Sequence, residues 1–183
     1  MSLFVHRLQN LLPEIIIACL LVFNFGCQAF KNDPSTQPDL FKQEKIDTLY
    51  QKLTGDFDDV SEMTVRELQD FPDEKQILIV DVRPDQERNI SIIPGAISKE
   101  EFEKHSDLYK VKPIVVYCTI GYRSAKYAKE LYQQGFQVMN LVGGILSWSH
   151  IQGELINNTG ETSQVHIYKK KFQLVADGYQ AVW

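Results

Sequence analysis

The chain has 183 residues, 44% of them hydrophobic, enough for one domain with its own core plus extensions and too few for two full domains. Its net charge of −5 and isoelectric point near 5.4, with no clustered basic face, exclude a dedicated nucleic-acid binder; the basic run Lys169 to Lys171 reads as solvated surface. Cys19, Cys27 and Cys118 form no C-x-x-C pair and have no ligand-like histidine spacing, so neither a metal site nor a disulfide framework is expected, and no cofactor is called for.

Ile15 to Phe25, IIIACLLVFNF, is apolar but much shorter than the roughly 20 residues of a membrane-spanning helix, and Glu14 blocks its extension. With His6 and Arg7 ahead of it and small residues behind, it fits a secretory signal over residues 1–29. Two processing routes stand open. Cys27-Gln28-Ala29 suits small-x-small cleavage, whereas Gly26-Cys27 resembles a bacterial lipoprotein signal in which Cys27 is lipidated, although Asn24 stands where leucine is usual. Either route predicts an exported protein, periplasmic or attached by its N-terminus to the outer side of the cytoplasmic membrane, with Cys118 as its one free thiol. A buried apolar helix is the structural alternative; Pro13, Glu14 and the polar stretch that follows count against it.

Residues 30–55 read as a linker and an added helix. Lys31 to Asp39, with Pro34 and Pro38, predicts an extended tether; Asp39 then caps a helix from Leu40 to Leu53, with Phe41, Ile46, Leu49, Tyr50 and Leu53 at roughly helical spacing and Gly55 as its stop. Residues 56–153 form the domain. Val60 to Met63 predicts a short strand, and Thr64 with Glu67 a capping box opening a helix. Gln76 to Val82, QILIVDV, has the continuous apolar character of a parallel strand covered on both faces. Pro84 opens a short helix through Glu87, Ile97 lies in another short strand, and Ser98 with Glu101 makes a second capping box before a helix to His105. Ile114 to Tyr117 is a buried strand, Ser124 to Gln134 a helix ended by Gly135, Val138 to Leu141 the last core strand, and Ile145 to His150 a final helical turn after Gly143-Gly144. The alternation predicts an α/β fold, a central mostly parallel sheet with helices on both faces and ligands at the strands' carboxyl ends.

Cys118 lies at such an end. Cys118-Thr119-Ile120-Gly121-Tyr122-Arg123 turns from strand to helix, leaving the thiol facing the backbone N–H groups that open the helix. Unsatisfied amides and aligned peptide dipoles there favour negative charge, either a bound anion or a thiolate. A lone cysteine is most often an inert buried residue; the strand before it and the Gly/Arg/Ser turn after it outweigh that reading. Arg123 near a helix start is disfavoured by the dipole as a plain surface cation, and an anion in the loop explains it better. Asp81 reads as a turn-forming carboxylate. His105, His150 and His166 read as surface or loop residues, so activation falls to the amides and Arg123.

Asp81-Val82-Arg83, Glu87, Pro94-Gly95-Ala96, Val116-Tyr117-Cys118 with Gly121 and Arg123-Ser124, and Leu141-Val142-Gly143-Gly144 with Trp148 resemble the single-domain rhodaneses in order and spacing, over about Val60 to Gln152. The resemblance implies a sulfurtransferase in which Cys118 is the nucleophile and carries a sulfane sulfur as a persulfide. It implies that Thr119, Ile120, Gly121, Tyr122, Arg123 and Ser124 cradle the substrate, and that Asp81, Arg83 and Glu87 support the loop. Its partners would be a small-molecule or protein sulfur donor and acceptor. Ser91-Ile92 replaces the Gly-His of many relatives, and Thr119-Ile120 lacks the extra cation of thiosulfate users, so thiosulfate is not implied as donor. Phosphatases and arsenate reductases, the third choice, carry a cysteine–arginine loop one residue longer than Thr119 to Tyr122. A non-catalytic envelope module that binds a partner or senses redox state on this fold is the other alternative. Residues 154–183 lie beyond the resemblance as a C-terminal extension: Glu154 to Thr162 reads as loop and Val165 to Tyr168 as an edge strand. Tyr179 and Trp183 either pack on the domain or form a docking tail; the sequence leaves the oligomeric state open.

Overall fold

The structure is a computed structural model and describes residues 37–72 and 76–183. The signal with Cys19 and Cys27, and the tether at 31–36, lie outside the described residues. Residues 37–183 form one compact unit.

Its centre is a five-stranded sheet in the order β1 (Glu62–Met63), β5 (Val138–Leu141), β4 (Ile114–Tyr117), β2 (Leu78–Asp81), β3 (Ile97–Ser98). Every neighbouring pair is parallel. Parallel pairing needs crossovers, and the helices supply them: α2 (Val65–Gln69), α3 (Asp85–Arg88), α4 (Lys99–Lys104) and α5 (Tyr122–Gln133). The strand period of two sorts β4 between two cores. Val115 and Tyr117 join Ile46, Leu141, Ile145 and Leu146 on one face, while Ile114 and Val116 join Phe102, Ala128, Leu131 and Phe136 on the other. Helices therefore cover both faces, as the apolar run predicted.

Local rules set several boundaries. Thr64 Oγ1 accepts from Glu67 N at 3.2 Å and Thr64 N donates to the Glu67 carboxylate at 2.8 Å, completing the capping box of α2. Ser98 Oγ accepts from Glu101 N at 2.9 Å to start α4. Gly135, φ 84, follows α5 as its stop.

The first helix, α1, runs Gln37–Thr54 and takes up the end of the expected tether, because Pro38 is tolerated in a first turn. Asp39 consequently lies inside the helix and not at its cap. Its carboxylate accepts from Asp177 N at 3.0 and 3.1 Å and from Lys42 Nζ at 2.8 Å. Ile46 and Tyr50 are buried, whereas Phe41, assigned to the apolar stripe, is 66% exposed.

Beyond α6 (Gly144–His150), residues 154–162 are more ordered than a loop: β6 (Ile156–Asn157) and β7 (Gly160–Glu161) form a hairpin. Asn157 Oδ1 accepts from Thr159 N and Oγ1 at 2.9 and 2.7 Å. The Asn/Thr/Gly composition that suggested a loop is that of a tight turn. β8 (Gln164–His166) pairs in parallel with β9 (Gln180–Val182) and not with the central sheet. Between them Phe172, Leu174, Val175 and Ala176 are buried and Tyr179 Oη donates to Gly153 O at 2.7 Å, while Trp183 is 62% exposed. No helix among the described residues is long and apolar enough to cross a membrane.

If α1 belongs to the core, Ile46→Ala should cost about 2–5 kcal/mol of unfolding free energy in urea titrations. Phe41→Ala should stay within ~0.5 kcal/mol.

Candidate active site

β4 delivers Cys118 to the carboxyl edge of the sheet with 1% of its surface exposed. Gly121 N donates to Cys118 Sγ at 3.1 Å. Gly121 has φ 113, and a Cβ there would lie 2.3 Å from Tyr50 Cε2, so this turn and its close packing both demand glycine. The opposite side of the loop is held by the start of α6: Ile145 N donates to Cys118 O at 3.0 Å and Leu146 N to Thr119 O at 3.2 Å. A Cβ on Gly144 would lie 2.3 Å from Cys118 O. Gly143-Gly144 thus does more than end β5; its second glycine lets a helix start press against the cysteine's own carbonyl.

The supporting residues form two clusters, one fully buried and one part-buried. Asp81, at the end of β2, accepts from Arg83 Nε at 2.9 Å, from Arg83 Nη2 at 2.6 Å and from Arg83 N at 3.0 Å. The last bond is the turn expected of Asp81, but the carboxylate is fully buried and its principal partner is a buried guanidinium. Tyr117 Oη donates to Asp81 Oδ2 at 2.6 Å and accepts from Ile93 N at 3.1 Å; Arg83 Nη2 also donates to Ser91 O at 2.6 Å. Burial pulls the Arg83 pKa down, yet the charge and hydrogen bonds of Asp81, with Tyr117 and Glu87, together raise it. Burial, then Asp81, pushes the Tyr117 hydroxyl well above its ordinary value.

The second cluster answers the question posed by Arg123. Its guanidinium donates to both oxygens of Glu87, Nη1 at 2.7 Å and Nη2 at 2.8 Å, and Nη2 also reaches Thr119 Oγ1 at 3.0 Å. Arg123 is thus paired with a carboxylate from α3, so its place near the helix start is accounted for without an anion in the loop. Burial pushes the Glu87 carboxyl up, but Arg123's hydrogen bonds and charge, with Arg83 and Thr119, hold it below its usual range. Arg123 is raised: burial opposes this, and Glu87 and the neighbouring Cys118 override it.

The loop residues Cys118 to Ser124 are brought together, with different orientations. Ile120 belongs to the core, Ser124 Oγ donates to Gly121 O at 3.1 Å, and Tyr122, 46% exposed, packs edge-on against Phe57. Gly121 N donates to the thiol and Arg123 lies beside it, while the Thr119 hydroxyl is taken up by Glu87 and Arg123. Sequence reasoning assigned no site role to Tyr117, Asn140 or Tyr50. Asn140 Nδ2 donates to Gly121 O at 3.1 Å and to Tyr50 Oη at 2.9 Å, and Tyr50 Oη donates to Glu62 at 2.6 Å. Tyr117 was within reach of sequence, since it directly precedes the cysteine at the end of the apolar run; Tyr50 arrives from a distant segment that carries no local mark. His150 Nε2 bonds Leu174 O, 24 residues on in the C-terminal extension, and His166 Nδ1 accepts from Tyr168 N. Among the described residues no group of His, Cys, Asp and Glu could hold a metal ion.

A parallel α/β sheet presenting a cysteine loop at its carboxyl edge defines the class of fold, and comparison with known proteins gives the family. The rhodanese-like domain model matches residues 64–151. A sulfurtransferase of Allochromatium vinosum is 34% identical over 88 residues, which span 44% of this chain and 79% of that protein. A tRNA uridine(34) hydroxylase of Aster yellows witches'-broom phytoplasma is 28% identical over 161 residues, 79% of this chain and 50% of that protein. A thiosulfate sulfurtransferase structure from Pseudomonas aeruginosa superposes with TM-score 0.52 at 21% identity, covering 61% of this chain and 23% of that one, which is a likeness of fold. The chain belongs to the rhodanese-like domain family and, at the family level, is a sulfurtransferase-type enzyme.

Because the folded carboxyl of Glu87 titrates below its ordinary value of 4.5, the clamp adds stability above that pH and loses it as pH falls through the folded value. Urea unfolding of wild type and Glu87→Gln should therefore differ at neutral pH and converge as the solution is acidified below about pH 4.5.

Proposed function

We propose that Cys118 accepts a sulfane sulfur from a donor, carries it as a persulfide and passes it to a thiol or other nucleophile. The observation that supports this most directly is Sγ seated 3.1 Å from Gly121 N at the start of α5, beside an arginine whose charge is already matched by Glu87. With a persulfide donor, the Cys118 thiolate attacks the terminal sulfur of R–S–SH. A new S–S bond forms as the donor's breaks, the electron pair leaves on RS⁻, and Cys118 becomes S–SH. An acceptor thiolate then attacks that terminal sulfur, takes it with its proton as R′–S–SH, and returns Cys118 as thiolate. Gly121 N stabilises negative sulfur before and after each transfer, and the α5 dipole acts in the same sense. The low exposure of Cys118 favours donors that present sulfur on a slender end.

The matched Glu87–Arg123 pair also bears on donor choice. A guanidinium committed to a carboxylate has little charge to offer thiosulfate, in keeping with the uncharged Thr119 and Ile120. The four-residue spacing from Cys118 to Arg123 favours one sulfur over a tetrahedral phosphoryl group. We also propose export, directed by residues 1–29, to the periplasm or to an N-terminal attachment at the outer side of the cytoplasmic membrane, with Cys27 lipidated in the second case.

Incubation with a low-molecular-weight persulfide should give wild-type protein the mass of one added sulfur, removable by cyanide, while Cys118→Ser gains none and keeps its unfolding midpoint. Sulfur uptake by the serine variant at the wild-type rate would defeat the carrier reading and leave the binding or redox-sensing module in its place. Protein purified from its own host should lack the N-terminal peptide by intact mass; a full-length N-terminus would refute export.

A further inference from the structure

The segment that follows β8 lies outside the family-matched residues and ends against the site. Lys169 N donates to Ile167 O at 2.6 Å and Tyr168 has φ 63, making a three-residue turn in the left-handed region at a bulky side chain. Such a turn is rare and strained, and it persists only where the surroundings impose it. Val165 and Ile167 are buried on either side of His166, Tyr168 N donates to His166 Nδ1 at 3.1 Å, and β9 pairs with the strand leading in. The result is an aromatic ring, 48% exposed, whose centroid is 5.0 Å from Arg123 Cζ and 5.0 Å from Lys169 Nζ.

The two cations sharing that ring are not equivalent. Arg123 has its edge on Glu87 and Thr119 and its face on Tyr168, so its charge is matched. Lys169 takes part in no ion pair among the described residues and is exposed. Resting on the persulfide-carrier reading of Cys118, we propose that the turn 167–169 belongs to the sulfurtransferase site. Tyr168 is a positioning residue that holds the Arg123 guanidinium against Glu87, and Lys169 supplies the unmatched positive charge that favours sulfur donors with an anionic body.

Two persulfides with the same reacting S–SH group and opposite bodies test this: glutathione persulfide, which carries carboxylates, and aminoethyl persulfide, which carries an ammonium. Lys169→Gln should raise KM for glutathione persulfide about three- to tenfold at low salt, leave kcat unchanged, and leave or lower KM for aminoethyl persulfide. Added salt should erase the difference between wild type and variant. Tyr168→Ala should lower kcat for both donors, and Tyr168→Phe, which keeps the ring, should restore it. A Lys169→Gln variant that treats both donors alike would overturn the charge assignment, and a Tyr168→Ala variant with wild-type kcat would overturn the positioning role. Wild-type protein that took sulfur from neither donor would overturn the persulfide reading itself; wild-type loading with charge-blind variants would overturn this inference alone.

Discussion

The buried ion pair between Asp81 and Arg83 is the constraint on which the site depends. Removing two charges from water is expensive, and the interior repays it only with close geometry and further hydrogen bonds. Here those further bonds are also the joints of the fold. Asp81 takes the hydroxyl of Tyr117 and Arg83 takes the carbonyl of Ser91, so the end of β2, the end of β4 and the loop at Ser91 share one network. Tyr117 is the residue before Cys118, and a shift in the pair would be a shift in the thiol. The network stays beneath the loop, on the opposite side of β4 from Val116, and does its work through position.

The second pair, Glu87 with Arg123, governs charge. An unpaired arginine beside a cysteine would draw anions strongly and tie an anionic product to the site. Matching it with a carboxylate leaves, on the proposed carrier reading, the Gly121 amide as the main stabiliser of negative sulfur, a weaker field that suits a group which must both arrive and leave. On the inference drawn above, the task of attracting a charged donor then falls to residues beyond the loop.

Much of the fold was legible in the sequence because its determinants are local. The continuous apolar run at residues 77–80, the capping box of Thr64 and Glu67, and Gly135 after α5 each carry their meaning within a few residues. The thiol loop was legible for the same reason, its strand, turn and helix being contiguous. What escaped depends on contacts between distant segments. Asp39 looked like a cap because nothing nearby shows that Asp177 will donate to it, and Phe41 shared the apparent stripe of Ile46 although only the latter finds Gly143 beneath it. Arg123 was read as the mark of an anion in the loop, whereas its partner is a carboxylate 36 residues upstream, Glu87. The β8–β9 pair was hidden because parallel strands joined by a long crossover leave no hairpin signature.

That parallel pairing has a mechanical meaning. A hairpin would have let the chain run out and back as a flap, free to lift from its tip. Since β9 instead returns to lie alongside β8 in the same direction, segment 167–179 is a closed hoop, fastened at both ends and laid over α6 through the contacts of Leu174 and Ala176 with His150 and Ser149. Tyr168 sits where the hoop begins. The final strand is then a latch in position: it closes the hoop onto β8, the strand that runs directly into Tyr168, whose ring lies over the Arg123 guanidinium.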